Sequence, residues 1–323
     1  MSPISVANVP VEGFDGIYVH TGLIELTLVP ELGGKVSSLR DARTGREWLW
    51  RHPRFEYKKV PHGSSYVKEA DTGGWDECFP SVAECAYPSA PWQGAAIQDH
   101  GELWSQNAEV EVDQQVAEVT ITTRWHGIVL PYSFTRTILL TANSSVIKVD
   151  YEVTNTSDQP VNFVWCIHPL IAIEPGMELL LPASAQFNVG SLFPEDLVPP
   201  GKKLQYPFEA SGLNFPVLPQ TDAKRAIKLW SDPLPDGEGW AAMRAKDGEL
   251  KMRWDVRSLP QIAVWLNLGT WSADGGSPYF NMGLEPCIGA QDSLADAVNQ
   301  FDLFESLPPR GSKAWWLEME LTA

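Results

Sequence analysis

The stretch SFTRTILLTANSSVIKVDYEVTN, residues 133–155, places two alternating runs on either side of a short polar turn. Within each run apolar and polar side chains succeed one another with period two, the repeat of a strand that buries one face. Between the runs, TANSS (141–145) supplies Asn and Ser, which close turns through side-chain-to-backbone hydrogen bonds. The stretch reads as an antiparallel hairpin.

The same rhythm recurs along the chain in GLIELTLVP (22–30), AEVTITTRW (117–125), QIAVWLNL (261–268) and WWLEMEL (315–321). Turn signals such as ELGG (31–34), DARTG (41–45) and TNTSDQP (154–160) separate the runs. One helix is expected: DSLADAVNQF (292–301), with Asp292 or Ser293 as N-cap and roughly two turns. There is no alternation of strands with helices, so a Rossmann domain is excluded. The segment GSLFPEDLVPPGKKLQYPFEASGLNFPVLP (190–219) reads as Pro-rich loop, and strands of the same character resume beyond it. The expectation is an all-β chain, a large antiparallel β-sandwich forming a single domain over residues 1–323.

Composition narrows the partners. The 323 residues carry 24 Lys plus Arg against 41 Asp plus Glu, a net charge of −17 that repels phosphate backbones and anionic lipid heads. Nucleic acid and membrane are therefore not expected as partners. No leader-like segment opens the chain and no apolar run is long enough to span a bilayer, which points to the cytoplasm. The cysteines Cys78, Cys85, Cys166 and Cys287 show no paired zinc spacing. They read as reduced, buried thiols, with a Cys78–Cys85 disulfide left open for an exported protein.

Chemistry concentrates in three segments. DHGELWS (99–105) holds Asp99, His100 and Glu102. In VNFVWCIHPL (161–170), Val161, Phe163, Trp165 and Ile167 take one face of a strand while Asn162, Val164, Cys166 and His168 take the other. Pro169 is expected to stop that ladder, which leaves His168 at a strand end. In PYFNMGLEPCIGAQDS (278–293), Asn281, Gly283 and Glu285 share a face and Pro286 is expected to end the strand. Gly283, between two polar groups, reads as room for something other than protein. Glu285 is either a rim carboxylate or a base. Taken singly, each histidine also fits a structural role.

Together these segments resemble the aldose 1-epimerases, the galactose mutarotase-like family. The matching residues run in family order: ELGGKVSSLRDARTGREWLW (31–50), GGWDECFPSVAEC with DHGELWS, PVNFVWCIHPLI, and FNMGLEPCIGAQDSL. The resemblance implies a β-sandwich with an open sugar-binding groove and interconversion of α and β anomers of a free aldose. It implies Glu285 as the base at the anomeric hydroxyl, His168 as the acid at the ring oxygen, and His100 assisting there. That chemistry suits these residue types, since opening a hemiacetal ring takes a base at O1 and an acid at O5 together, with neither metal nor organic cofactor.

Asp76 and Glu77, read as part of a Gly-flanked loop, are candidates for binding sugar hydroxyls, as is Asn281. Trp75 and Trp104 are the stacking candidates. Asp255 and His126 read as structural, and no spacing supports a bound calcium ion. The galactose-specific Asn-His-Ser-Tyr-Phe stretch is replaced by CIHPLI (166–171), and Thr72, not Arg, precedes Gly73 and Gly74. Galactose itself therefore does not follow from the resemblance, and a hexose 6-phosphate is disfavoured, although Arg40, Arg51 or another arginine remains as a source of charge. A carbohydrate-binding protein without catalysis, or an epimerase of a modified sugar, stand as alternatives.

Overall fold

The computed structural model describes residues 4–193, 202–210, 213–219, 224–273 and 275–323. Among these, eleven strands form one antiparallel sheet and eight form a second. The hairpin at 133–155 is present: Tyr132–Thr141 pairs with Val146–Asn155, Phe134 opposite Val153 and Ile138 opposite Val149. Its buried and exposed residues alternate without interruption, because each strand turns one face toward the larger sheet. The inner faces interdigitate in an aromatic-rich core that includes Trp48, Trp125, Phe134, Phe163, Trp165 and Trp315.

The middle of the larger sheet differs from a half-exposed sheet. There the strands Trp75–Cys78, Trp165–Ile171, Phe280–Ile288, Gln261–Leu268 and Arg225–Ser231 lie side by side in that order. They are buried on both faces: one packs on the second sheet, and the other is roofed by loops. Their odd and even residues are therefore both withdrawn from water, which conceals the period-two signal.

The prolines do not end these strands. The strand carrying His168 continues through Pro169 to Ile171, and the one carrying Glu285 continues through Pro286 to Ile288. What the prolines remove is pairing. The two strands pair at Cys166–Cys287 and again at Leu170–Gly283, but not at Ile167, His168 or Pro169 between. Leu170 donates its N–H to Gly74 on the other side, so by alternation the nitrogens of residues 167 and 169 face the Glu285 strand. In that register Ile167 meets Pro286 and Pro169 meets Leu284, and each proline deletes one donor.

The segment at 190–219 is not all loop. Gln186–Phe193 is a strand of the larger sheet with a bulge between Val189 and Ser191, and Leu204–Gln205 pairs with it. Glu209–Ala210 and Leu213–Asn214 form a small hairpin, while residues 194–201 of the segment lie outside the described residues. The expected helix at 292–301 shrinks to Leu294–Asp296 followed by a wider turn, Ala297–Phe301, with the Ser293 side chain accepting from the Asp296 N–H. No disulfide joins Cys78 to Cys85; all four cysteines are free thiols, and Cys78 instead neighbours Cys166 across the sheet.

Candidate functional site

His100 occupies a turn that is fixed from three sides. Its φ of +61° and that of Gly101, +73°, are both left-handed. At Gly101 a Cβ would lie 2.0 Å from the carbonyl oxygen of Phe79, so only glycine fits. The His100 N–H donates to Val82, and the Trp104 indole N–H donates to the Asp99 carbonyl. Trp104 is thereby a buttress of the turn, packed edge-on against Tyr66 and outside the cleft that His100 lines. Glu102 is structural as well: wholly buried, it accepts from the N–H groups of Ile128 and Val129 and from the Tyr132 hydroxyl.

Asp99 orients the imidazole. Its Oδ1 is 2.7 Å from His100 Nδ1, and its Oδ2 accepts from Ser65 and from the N–H of Val67. Those bonds hold the single helical turn Tyr66–Glu69, whose Tyr66 ring stacks on His100 at 4.2 Å between centroids. Burial alone would depress the His100 pKa, but the hydrogen bond and charge of Asp99 outweigh it and raise the pKa above the ordinary value. Asp99 itself, against the same burial, is held down to about 2 by His100.

His168 lies 4.9 Å from His100 between ring centroids, the rings nearly perpendicular. Its environment has the opposite effect. Burial, then the charges of His100, Lys228 and Lys35, push its pKa well below that of free histidine, so its ring is neutral. Its Nδ1 is buried without a hydrogen-bond partner.

Glu285 sits across from His168, at the rung where the ladder is broken. Its Oε2 accepts from Lys228 Nζ, and its Oε1 has no protein partner although buried. The space at Gly283 goes to this carboxylate: a Cβ there would lie 2.2 Å from Glu285 Oε1. Gly283 therefore makes room for a side chain of its own strand, contrary to the expectation from sequence. Burial would lower the Lys228 pKa, but Glu285 and Asp292 overcome it and hold the ammonium charged.

His100, His168, Glu285 and Lys228 line one cleft of about 270 Å³, together with Asp71, Asp292, Trp265 and Trp271. This is close to the lower end of the roughly 300–1,000 Å³ of small-molecule sites. Trp265 and Trp271 are partly exposed and stand edge to face at 5.6 Å, an aromatic wall on which the apolar face of a ligand can stack. Asp71 is buried, and desolvation raises its pKa to about 6 against the opposing charges of Lys35 and His100.

The remaining expected residues lie elsewhere. Residues 75–78 are a strand, not a loop, and alternation sends Trp75 and Glu77 into the inter-sheet core. There Glu77 Oε1 accepts from the Trp75 indole, from Arg136 at 3.1 Å and from the Tyr151 hydroxyl, which leaves it remote from the cleft. Asp76 points to the cleft side, opposite His168 in register, but Lys35 and the Tyr66 hydroxyl engage its Oδ2. Asn281 is on the face of Glu285 yet four residues along, roughly 13 Å away at strand spacing, and it does not line the cleft. Asp255 forms an ion pair with Arg257, and His126 is exposed.

Lys228, Asp71, Trp265, Trp271 and Tyr66 were not singled out from the sequence. For Lys228 there was a signal: a lone charge inside the apolar run AIKLW (226–230) of a strand buried on both faces.

No family model and no curated protein matches the chain. Solved structures match it by shape. A galactose mutarotase-like protein from Clostridium acetobutylicum is 12% identical with a TM-score of 0.65, over 99% of each chain. One from Lactobacillus casei is 17% identical with a TM-score of 0.63, covering 95% of this chain and 100% of that one. A galactose mutarotase related enzyme from Lactobacillus acidophilus is 13% identical with a TM-score of 0.61, over 95% and 97%. The architecture of two apposed antiparallel sheets built by this chain is thus the galactose mutarotase-like fold.

Proposed function

We propose that the protein is a mutarotase, an isomerase that interconverts the α and β anomers of a free aldose in this cleft. The observation that carries the reading is the opposition of Glu285 and His168 across the break in the ladder, with Glu285 Oε1 and His168 Nδ1 both buried without protein partners. A buried acceptor without a partner costs about 1–3 kcal/mol, and a sugar hydroxyl or ring oxygen would relieve that penalty.

In this reading Glu285 Oε1 takes the proton from the anomeric hydroxyl. The O1 electrons form the carbonyl, the C1–O5 bond breaks, and O5 takes a proton from the imidazole pair. Rotation about C1–C2 presents the other carbonyl face, and the same groups close the ring in reverse. The resemblance in sequence gave the acid role to His168. The opposed pKa shifts favour a refinement in which the transferable proton rests on His100, held by Asp99, and neutral His168 hydrogen-bonds the sugar.

Asp71, Glu285 and Asp292 outnumber Lys228 in the cleft, which favours a neutral sugar over a phosphate, uronate or sulfonate. Magnetisation transfer between the anomers of neutral aldoses is the test. Wild-type protein should accelerate exchange, and Glu285→Gln should lose about 10²–10⁴-fold. Saturation-transfer contacts with a sugar, without faster exchange, would instead identify a carbohydrate-binding protein.

A further inference from the structure

The two imidazoles of the mutarotase reading belong to a wider donor set, completed by a buried thiol that the reading does not use. Cys78 lies on the strand beside His168, and its Sγ and one ring nitrogen each of His100 and His168 are all within 4.8 Å of one another. The three come from separate segments, so no spacing in the sequence announces them. Two further thiols stand in the same row, Cys166 beside Cys78 and Cys287 beside Cys166. We infer that Cys78, His100 and His168 form a binding site for a thiophilic cation of the Zn²⁺ class, and that its occupation switches the cleft off.

Several independent features agree with this donor set. Two imidazoles and a thiolate, with a further position open, are ligands suited to zinc. His100 already has the supporting partner typical of a metal-bound histidine, since Asp99 binds Nδ1 and leaves Nε2 as the ligand nitrogen. His168 has a buried Nδ1 without a partner. Asp99, Asp71 and Asp292 place negative charge on the His100 side of the site, which favours a cation there, while Lys228 and Lys35 oppose it at His168.

The geometry needs little change. Ligands bound about 2.0–2.3 Å from zinc are at most roughly 4.6 Å apart, so closure takes an ångström or so shared among three side chains. On binding, the Cys78 thiol gives its proton to solvent and becomes the thiolate ligand. Both imidazoles then have a ring nitrogen committed to the metal, and the cation displaces any proton destined for the sugar. The inhibition, though not the binding, rests on the mutarotase reading.

The test uses the full chain, with Zn²⁺ titrated against a chromophoric chelator. One Zn²⁺ per wild-type chain is expected, with affinity weakened about tenfold or more in Cys78→Ala. Loading wild type with Co²⁺ should give a thiolate-to-cobalt absorption band, which reads sulfur ligation without any variant. One equivalent of Zn²⁺ should stop anomer exchange by wild type and EDTA should restore it, while Cys78→Ala keeps exchanging at the same Zn²⁺ concentration. Equal affinities in the two proteins, or a Co²⁺ form without the thiolate band, would overturn the site. If wild type catalyses no exchange with any sugar, the mutarotase reading fails, and the chelator and cobalt measurements still decide the site.

Discussion

His168 and Glu285 face each other across the one rung of their two strands that is flanked on both sides by a proline-depleted pair, between Cys166–Cys287 and Leu170–Gly283. The pairing on either side fixes their register, and the side chains of alternate residues bring both groups to the cleft. Glu285 is placed further by its own strand, because it folds its carboxylate over Gly283.

Gly283→Ala is therefore expected to keep the fold and displace the carboxylate. A Cβ 2.2 Å from Oε1 cannot coexist with the present position of Glu285. Displacement of about an ångström lowers catalysis on the order of 10²-fold. Anomer-exchange rates beside a thermal melt check this; full activity in a well-folded variant would show that the Glu285 position is immaterial.

Asp99→Asn should act through His100. With the carboxylate charge gone, burial dominates and the His100 pKa falls. If the protonated ring is the active form, kcat/KM declines as pH rises through that pKa, so the alkaline limb of the profile moves to lower pH. An unmoved limb would place the transferable proton elsewhere.

Asp71→Asn addresses stability. The Asp71 pKa is about 6 in the folded protein against 3.8 unfolded, so between these values the folded state binds more protons. Stability from this group is present below pH 3.8 and is lost as pH rises to about 6. Above pH 6 the ionised side chain opposes folding by on the order of 2–3 kcal/mol. The amide removes that charge, so denaturant melts at pH 7 should show the variant more stable, with a flatter dependence on pH between 4 and 6.

Arg136→Met tests the core. Arg136 and Glu77 are both fully buried between the sheets, and burial already raises the Glu77 pKa to about 7 despite Arg136, Tyr151 and Trp75. Removing the cation leaves a carboxyl without a countercharge, at a cost of about 3–5 kcal/mol. Replacing Glu77 with Leu as well should recover much of the loss. A double variant no better than the single one would mean that the ion pair itself, not the stranded carboxyl, sets the penalty.

The strands of the second sheet were legible because one face of each is wet: Val146–Asn155 has the bounds read from alternation. The middle of the larger sheet was harder to read. Trp75–Cys78 is buried on both faces, so its glycine-rich flank suggested a loop and nothing distinguished inward Glu77 from outward Asp76. Pro169 and Pro286 look like strand ends because a proline in a central strand is rare. His100, His168 and Glu285 were found through the order of their segments, and the fold brings them to one cleft. Tyr66 rests on a helical turn of four residues, too short for periodicity to reveal.

The paired prolines have one more consequence. Hydrogen bonds ordinarily hold neighbouring strands about 4.7–4.9 Å apart and make a wide sheet a stiff plate. Between the strands of His168 and Glu285 two of those fasteners are missing, so the plate has a seam at its centre. Along that seam the spacing is governed by what the side chains pack against, and the width of the gap between His168 and Glu285 is left to whatever fills it.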